Sequence, residues 1–221
     1  MTGSSREQGL FARFAAAIVG VAIASLLWLW ALTWRKDATD LEKLDRLLRD
    51  GAKLVAVFWH GKYFSLFALA AGRRVSVVTT LSFRGNVIAS ICRWFGYQPV
   101  RIEHGVENHA LAIVEDALSG KSPLAAIAVD GPLGPRREPK PGAIRIASDL
   151  GYRLLPISVD GTPKTVSTSR SDRHEIPWPF ARVRIAVGVP MDVPKNLSPD
   201  DMREWQALLR ERLEALDPAN G

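Results

Sequence analysis

The N-terminal part of this chain contains an uncharged run of 21 residues, FAAAIVGVAIASLLWLWALTW, at positions 14–34. As an α-helix this run would be about 30 Å long, roughly the thickness of the hydrocarbon layer of a bilayer. Its tryptophans gather toward the C-terminal end, and indole side chains favour the headgroup zone of a membrane. The run therefore predicts a helix that spans or deeply enters a bilayer.

Two other interpretations fit the run less well. A cleaved signal peptide would have a shorter apolar core and a small-x-small cleavage site, which the segment WALTWRK does not offer. A core helix of a soluble protein is rarely apolar on every face over this length. We therefore expect a membrane anchor at residues 1–36 and one α/β domain at residues 37–221.

Basic residues near the run predict its orientation. Arg6 and Arg13 precede it, and six basic residues follow it closely: Arg35, Lys36, Lys43, Arg46, Arg49 and Lys53. Because basic residues concentrate on the cytoplasmic side of membrane helices, we expect the domain in the cytoplasm. The net charge of +6 indicates an acidic partner, and the apolar run favours an anionic lipid surface over nucleic acid.

The single cysteine, Cys92, excludes an internal disulfide, and no His/Cys cluster has the spacing of zinc ligands. Its apolar neighbours Ile88, Ile91 and Phe95 predict an inert core thiol rather than a reactive one. We therefore expect no structural metal.

Beyond the anchor, apolar runs and amphipathic segments alternate. Strands are predicted at 54–59, 75–80, 98–102, 124–129, 154–159 and 183–187, and helices at 86–95, 108–118 and 143–150. This alternation predicts an α/β fold with a mostly parallel sheet and helices on both faces. The irregular, polar segment 163–180 is expected to form a loop over the site.

Two further helices have start signals of their own. Thr39 with Glu42 predicts a capping box ahead of a leucine stripe that stops at Gly51. Ser198 followed by Pro199 and two acidic residues predicts the start of the last helix.

Ligands of open α/β sheets bind beyond the carboxyl ends of the strands, and three polar clusters fall at such ends. They are His60, Arg101 and the segment DGPLGPR at 130–136. His60 could take a proton from a hydroxyl near neutral pH; the alternative is a strand-end histidine that only hydrogen-bonds to backbone. We expect solvated or structural roles for the other histidines, His104, His109 and His174.

The loop at 130–136 is neither a Walker loop nor a nucleophile elbow, because neither spacing occurs. Its glycines, Gly131 and Gly134, would let a ligand approach the backbone, and Asp130 and Arg136 supply opposite charges. A plain turn with a surface ion pair is the alternative. Elsewhere, Arg84 and Arg101 would suit a phosphate through bidentate geometry and permanent charge.

Several segments, in order, resemble the lysophospholipid acyltransferase superfamily: FWHGK, SFRGNVIA, WFGYQPVR, AVDGPLGPR, PGAIRIASDLG and LLPISV, from about residue 55 to residue 190. DGPLGPR followed by PGA is similar to the Asp-Gly-Pro-x-Gly-Pro-Arg hallmark of a bacterial branch. The resemblance implies an acyltransferase-like fold. It also implies transfer of a fatty acyl group from acyl-CoA or acyl-carrier protein to a hydroxyl, often on a lysophospholipid.

The resemblance also implies roles for individual residues. His60 matches the general base, and Arg101 matches the arginine that holds the acceptor's phosphate. The family's first block is H-x-x-x-x-D, and Ser65 stands at the aspartate position of this chain, where its hydroxyl could accept a hydrogen bond from the imidazole. We therefore expect Asp130 to supply the carboxylate that supports His60.

The expected substrate-binding set extends the same matches. It comprises Lys62, Arg84, Arg101, Gly131, Pro132, Gly134, Arg136 and Pro156. The expected function is an acyltransferase at the cytoplasmic face of a bacterial inner membrane. Its partners would be membrane lipids and acyl-carrier protein, with no cofactor beyond the acyl-CoA or acyl-carrier co-substrate.

Two alternative functions remain. One is a lipid-binding or lipid-transfer module that keeps the fold without catalysis. The other is a membrane-tethered domain that binds nucleic acid or protein. It would need a continuous basic face with interleaved aromatic residues, whereas Lys and Arg are scattered along this sequence.

Overall fold

A computed structural model of the chain describes residues 3–102, 107–118, 122–131, 134–168 and 173–217, with side chains from residue 12 onward and, in the fifth helix, at 112–114 and 116–118. The elements are α1 (Gly3–Leu32), β1 (Arg35–Asp37), α2 (Leu41–Arg49), β2 (Leu54–Phe58), a 3₁₀ turn (His60–Lys62), α3 (Tyr63–Leu69), β3 (Ser76–Thr80), α4 (Phe83–Trp94), β4 (Gln98–Ile102), α5 (Glu107–Leu118), β5 (Leu124–Ala128), α6 (Gly142–Leu150), β6 (Arg153–Val166), β7 (Glu175–Val187), β8 (Met191–Asp192) and α7 (Pro199–Leu216).

The strands form one mixed sheet in the order β1-β7-β6-β2-β5-β3-β4, with β8 added beside β6. The pairs from β6 through β2, β5 and β3 to β4 are all parallel, as is β1 with β7. Among the described strands, the antiparallel pairs are β6 with β7 and β6 with β8. This sheet confirms the predicted α/β class with a mostly parallel sheet, whereas the acyltransferase-like fold stays a prediction.

Helices cover both faces of the sheet, as predicted. One buried cluster joins the sheet to α1–α4 and contains Leu44 and Cys92; the other joins it to α5–α7 and contains Ile144 and Leu209. Cys92 is fully buried, and burial raises the pKa of its thiol to about 12, which confirms an inert core position.

Helix α1 packs on the domain through one stripe of mostly small residues. Ala12–Leu32 is long and apolar enough to cross a membrane. Ala24 and Leu27 on this helix belong to the same buried cluster as the sheet. A Cβ on Gly20 would lie 2.5 Å from Ser90 Cβ, so α1 and α4 are closer here than any side chain would allow. The boundary predicted at residue 36 stays a prediction.

The prediction of an irregular loop at 163–180 is wrong over most of that range. Residues up to Val166 extend β6, and residues from Glu175 begin β7, which pairs antiparallel with it. The pairing register shifts between Thr162 and Lys164, so Pro163, which lacks an N–H donor, falls at the irregularity instead of within the ladder.

The capping box predicted from Thr39 and Glu42 is also wrong. Asp40 is the N-cap of α2 and makes no side-chain cap hydrogen bond, because its Oδ2 accepts from the backbone N–H of Val187 at 3.1 Å. The hydroxyl of Thr39 donates instead to Asp37 Oδ1 at 2.8 Å. The last helix begins as predicted, with Ser198 as a capping residue.

We expect Gly85→Ala to destabilise the fold by about 2 kcal/mol. An added Cβ would lie 1.8 Å from the carbonyl oxygen of Thr80, a backbone atom that cannot move aside without shifting β3 or α4. Urea unfolding of the purified chain in detergent measures the change. Gly142→Ala is the matched control, since a Cβ there meets nothing within 4 Å. Equal midpoints for the two variants would contradict the tight contact.

Candidate functional site

Four adjacent parallel strands bring the predicted clusters to one edge of the sheet. In the order β2-β5-β3-β4, His60 follows the first, Asp130 follows the second and Arg101 lies near the end of the fourth. Neighbouring strands lie about 4.8 Å apart, so Asp130 is one strand spacing from His60. Arg101 is three spacings away, about 14 Å.

Asp130 holds the loop that carries His60. Its side chain is 1% exposed. One carboxylate oxygen accepts from the backbone N–H of His60 at 2.7 Å, and the other accepts from the backbone N–H of Arg137 at 3.1 Å. The carboxylate therefore positions His60 through its main chain. The expectation that it also supports the imidazole stays a prediction.

The imidazole of His60 belongs to a small aromatic cluster. Its centroid lies 5.0 Å from the ring of Tyr63, in an edge-on arrangement, and 6.4 Å from the imidazole of His174. Tyr63 and His174 are 4.3 Å apart. His174 is buried just before β7 begins, which is compatible with its predicted structural role. Its position beside His60 was not predicted from the sequence.

The loop that begins at Asp130 bounds a small cavity that is lined by Trp59 and Gly61, the chain neighbours of His60, and not by His60 itself. Gly131 and Gly134 both adopt positive φ angles, +63° and +70°, which other residues disfavour. The cavity measures about 10 Å³, room for about one water molecule. Its lining includes Trp59, Gly61, Asp130, Arg136, Arg173 and Glu175. Pro132, predicted to contact substrate, lies outside the described residues, as does His104.

Positive charge gathers at the rim of this cavity. The pKa of Arg136 is lowered first by desolvation and then by the nearby cations Arg137 and Arg173, while Glu175 and Asp130 oppose the shift. Desolvation is the largest cause of this shift, and the repulsion among the three arginines adds to it. An anionic group at this rim would relieve that repulsion.

Lys62, predicted to bind substrate, is the centre of a buried ionic network. Its side chain is 4% exposed. The ammonium lies 3.0 Å from the carbonyl oxygen of Val159 and 3.3 Å from carboxylates of both Glu175 and Asp217. These three acceptors match the three N–H donors of an ammonium group. Lys62 in this arrangement ties the turn after His60 to β6, β7 and the end of α7.

The network continues on both sides of Lys62. Asp217 also accepts from Arg137 at 2.5 Å, so the loop after Asp130 is joined to the same carboxylate. Glu175 also accepts from Lys164 at 2.9 Å. These contacts cross-link the turn with His60, the loop with Asp130 and the β6–β7 hairpin.

A second basic group lies farther along the same edge. Arg101 donates a short hydrogen bond to the amide oxygen of Asn86, and its pKa is lowered by desolvation, then by Arg13 and Arg93. Arg84 is exposed in the first turn of α4. Both arginines follow or end strands at the carboxyl edge, on the far side of β5 from His60.

The remaining predicted site residues lie in the interior. Ser65 is buried in α3, five positions beyond His60. Pro156 is buried in β6, opposite Val57 of β2, and its carbonyl oxygen accepts from Gly188 N at 2.9 Å. Pro156 thus belongs to the sheet beneath the site, while a contact of Ser65 with the imidazole stays a prediction.

We expect Asp130→Asn to lower stability by about 1–3 kcal/mol. An amide offers one acceptor where two backbone N–H groups need one each, so its NH₂ would face an N–H donor. Urea unfolding of the purified chain in detergent measures the change. Asp149→Asn, on the exposed side of α6, is the control. Equal unfolding midpoints for the two variants would show that the carboxylate of Asp130 does not stabilise the loop that carries His60.

Within the described residues, no group of three or more His, Cys, Asp and Glu side chains could hold a metal ion. No protein-family model matches the sequence, and no curated protein matches it significantly.

Proposed function

We propose that this chain is a membrane-bound acyltransferase. It would move a fatty acyl group from acyl-CoA or acyl-carrier protein to a hydroxyl of a lysophospholipid or glycolipid. The observation that carries the proposal is the position of His60: it follows a buried strand at the sheet edge, its main chain is held by Asp130, and it lies beside a basic rim.

The chemistry needs one base and one place for negative charge. His60 would take the proton of the acceptor hydroxyl as its oxygen attacks the thioester carbonyl. The tetrahedral intermediate collapses to the ester and a thiolate, which takes the proton back from the imidazolium. Histidine suits both steps, because it binds and releases a proton near neutral pH.

Arg136 and Arg173 are the phosphate ligands that the geometry favours. They line the same cavity as Asp130, and Asp130 lies one strand spacing, about 5 Å, from His60. The hydroxyl and phosphate of a lysophospholipid lie on one glycerol unit, so the base and the phosphate ligands must lie close together. Arg101 and Arg84 would then meet a second phosphate, such as one on the thioester donor.

The acyl chains of both substrates would remain in lipid. The cavity of about 10 Å³ holds no more than a small reacting group, so an acyl chain must extend outward from it. The apolar helix Ala12–Leu32 brings the site to a bilayer where such chains are already dissolved. We place the enzyme at the cytoplasmic face of a bacterial inner membrane, where acyl-CoA and acyl-carrier protein are available.

Lipid mass spectrometry on the purified full chain tests the function. The protein is mixed with a membrane lipid extract and ¹³C-labelled acyl-CoA or acyl-carrier protein, and the labelled products are identified. Label that enters one lipid class establishes the acyltransferase and names its acceptor. A lack of transfer from both donors, while lipid still copurifies with the chain, would replace the enzyme by a lipid-binding module.

A further inference from the structure

A broad apolar surface lies on the side of α1 that faces away from the domain. Phe14, Ile18, Leu26 and Leu29 are between 54% and 67% exposed, and they lie opposite the buried stripe of Ala16, Gly20, Ala24, Leu27 and Ala31. Exposed apolar patches of this extent on a folded domain mark an interaction surface.

The domain packs against α1 from Ala16, which is fully buried, to Thr33. Near the C-terminal end, the Trp30 indole donates to Pro177 O at 2.9 Å, and Phe180 N donates to the hydroxyl of Thr33 at 3.1 Å. In the middle, Gly20 lies against α4. Near the N-terminal end, Arg13 is close enough to Arg101 to act on its charge.

This attachment bears on how α1 can meet a bilayer. A helix that crosses the hydrocarbon layer has its two ends on opposite sides, about 30 Å apart. Here one folded domain contacts the apolar run near its C-terminal end, in its middle and near its N-terminal end at Ala16. A water-soluble domain cannot lie on both sides of a bilayer, so the helix must follow the domain along one side.

Other elements extend the same apolar surface. Phe83 and Trp94 are about half exposed and lie on the stripe of α4 that contacts α1, one on each side of that contact. At the other end of α1, Trp178 is 52% and Phe180 71% exposed on the hairpin strand that bonds to Trp30 and Thr33. We name these two the hairpin aromatics.

Basic side chains border this surface. Arg84 follows Phe83, Arg93 precedes Trp94 and Arg182 lies two positions beyond Phe180, and all three are exposed. Aromatic side chains with adjoining arginines suit the boundary between acyl chains and anionic headgroups.

We propose that α1 and the hairpin aromatics together insert into one leaflet of an anionic bilayer, so that α1 lies in the plane of the membrane and does not cross it. The occupant of the surface is the lipid leaflet itself. This proposal rests on the membrane location in the proposed function, but not on the acyl-transfer chemistry.

Thiol labelling tests the topology of α1. Ser5→Cys reports on the start of the helix, and Ala215→Cys on the exposed side of α7 reports on the domain. Inside-out membrane vesicles that carry either variant are treated with a membrane-impermeant maleimide, with and without detergent. The parent chain is the control, because Cys92 is fully buried.

An in-plane helix exposes both reporters on the domain's side, so both are labelled equally without detergent. A crossing helix would protect Ser5→Cys until detergent is added, and that result overturns the proposal while leaving acyl transfer possible. If the full chain does not stay with the vesicles at all, the membrane location in the proposed function fails as well.

Vesicle flotation tests the hairpin aromatics. The double variant Trp178→Ser/Phe180→Ser should bind vesicles of phosphatidylcholine and phosphatidylglycerol at least about tenfold more weakly than the parent chain. Val189→Ser is the matched control, since Val189 is 80% exposed on the loop before β8. Unchanged binding would overturn the proposal. Unchanged vesicle binding together with a shift of the variant from dimer to monomer would also overturn the proposal, because the surface would then bind a second copy of the chain.

Discussion

His60→Ala is expected to lower the rate of acyl transfer by about 10²- to 10⁴-fold, the range lost when a general base is removed. The substrate should still bind, because the basic rim of Arg136 and Arg173 is untouched. The loss should therefore lie mainly in kcat, with KM changed little. Initial rates with the acyl donor and acceptor found by mass spectrometry measure both constants.

Two controls separate chemistry from folding in this experiment. The backbone N–H of His60 bonds to Asp130, so alanine keeps that contact and the unfolding midpoint should stay close to that of the parent chain. His109→Gln, on α5, removes a histidine outside the predicted set. Retention of more than about a tenth of the activity by His60→Ala would exclude general-base catalysis by His60.

Lys62→Met is expected to destabilise the chain by about 3–5 kcal/mol, the cost of removing one partner from a buried ion pair. The ammonium is 4% exposed and lies 3.3 Å from carboxylates of Glu175 and Asp217, whose side chains are themselves about 10% exposed. Without it, these two negative charges remain buried, and the ion pairs with Lys164 and Arg137 offset them in part. Urea unfolding measures the loss.

The matched control for this variant is Lys164→Met. Lys164 belongs to the same network, but its side chain is 26% exposed, so water can screen the carboxylates that lose it and the cost should be about 1 kcal/mol or less. Adding Asp217→Asn to Lys62→Met should recover part of the loss, because it removes one uncompensated charge. An equal loss of stability in both lysine variants would show that the burial of Lys62 does not set the contribution of this network to stability.

The central strands follow from the sequence because their chemistry is local. β2 (LVAVF) and β5 (LAAIA) are continuous apolar runs, and they pair side by side in the middle of the sheet. Strands covered on both faces need no polar side, so a short apolar run between turn residues is sufficient to reveal them. The ends of such strands then indicate His60 and Asp130 as candidate site residues.

The outer half of the β6–β7 hairpin, residues 163–166 and 175–180, escaped sequence reasoning because prolines interrupt both segments. Lys164 and Thr165 pair with Pro177 and Ile176 across the hairpin, and this cross-strand pairing, not local propensity, makes them strand residues. The residues that complete the site follow from this pairing. Glu175 and His174 reach the turn with His60 only because β7 returns antiparallel beside β6.

Asp217 illustrates the same limit at the end of the chain. It follows α7, and nothing in its local sequence distinguishes it from the neighbouring acidic residues. Only the packing of α7 against the sheet places the carboxylate of Asp217 3.3 Å from the ammonium of Lys62 and 2.5 Å from Arg137.

For α1, the sequence did contain a signal of close helix packing. Ala16, Gly20 and Ala24 recur at a spacing of four residues, as in closely packed helices.

The sequence by itself determined the apolar helix, the α/β alternation and the two residues at the heart of the candidate site, because burial and strand ends leave patterns within a few residues. Only the tertiary structure decided which stripe of α1 meets α4, that Lys62 is enclosed by carboxylates, and that Arg173 joins Arg136 beside His60. These depend on contacts between segments up to about 155 residues apart, and such contacts arise from how whole elements pack, which no local pattern records.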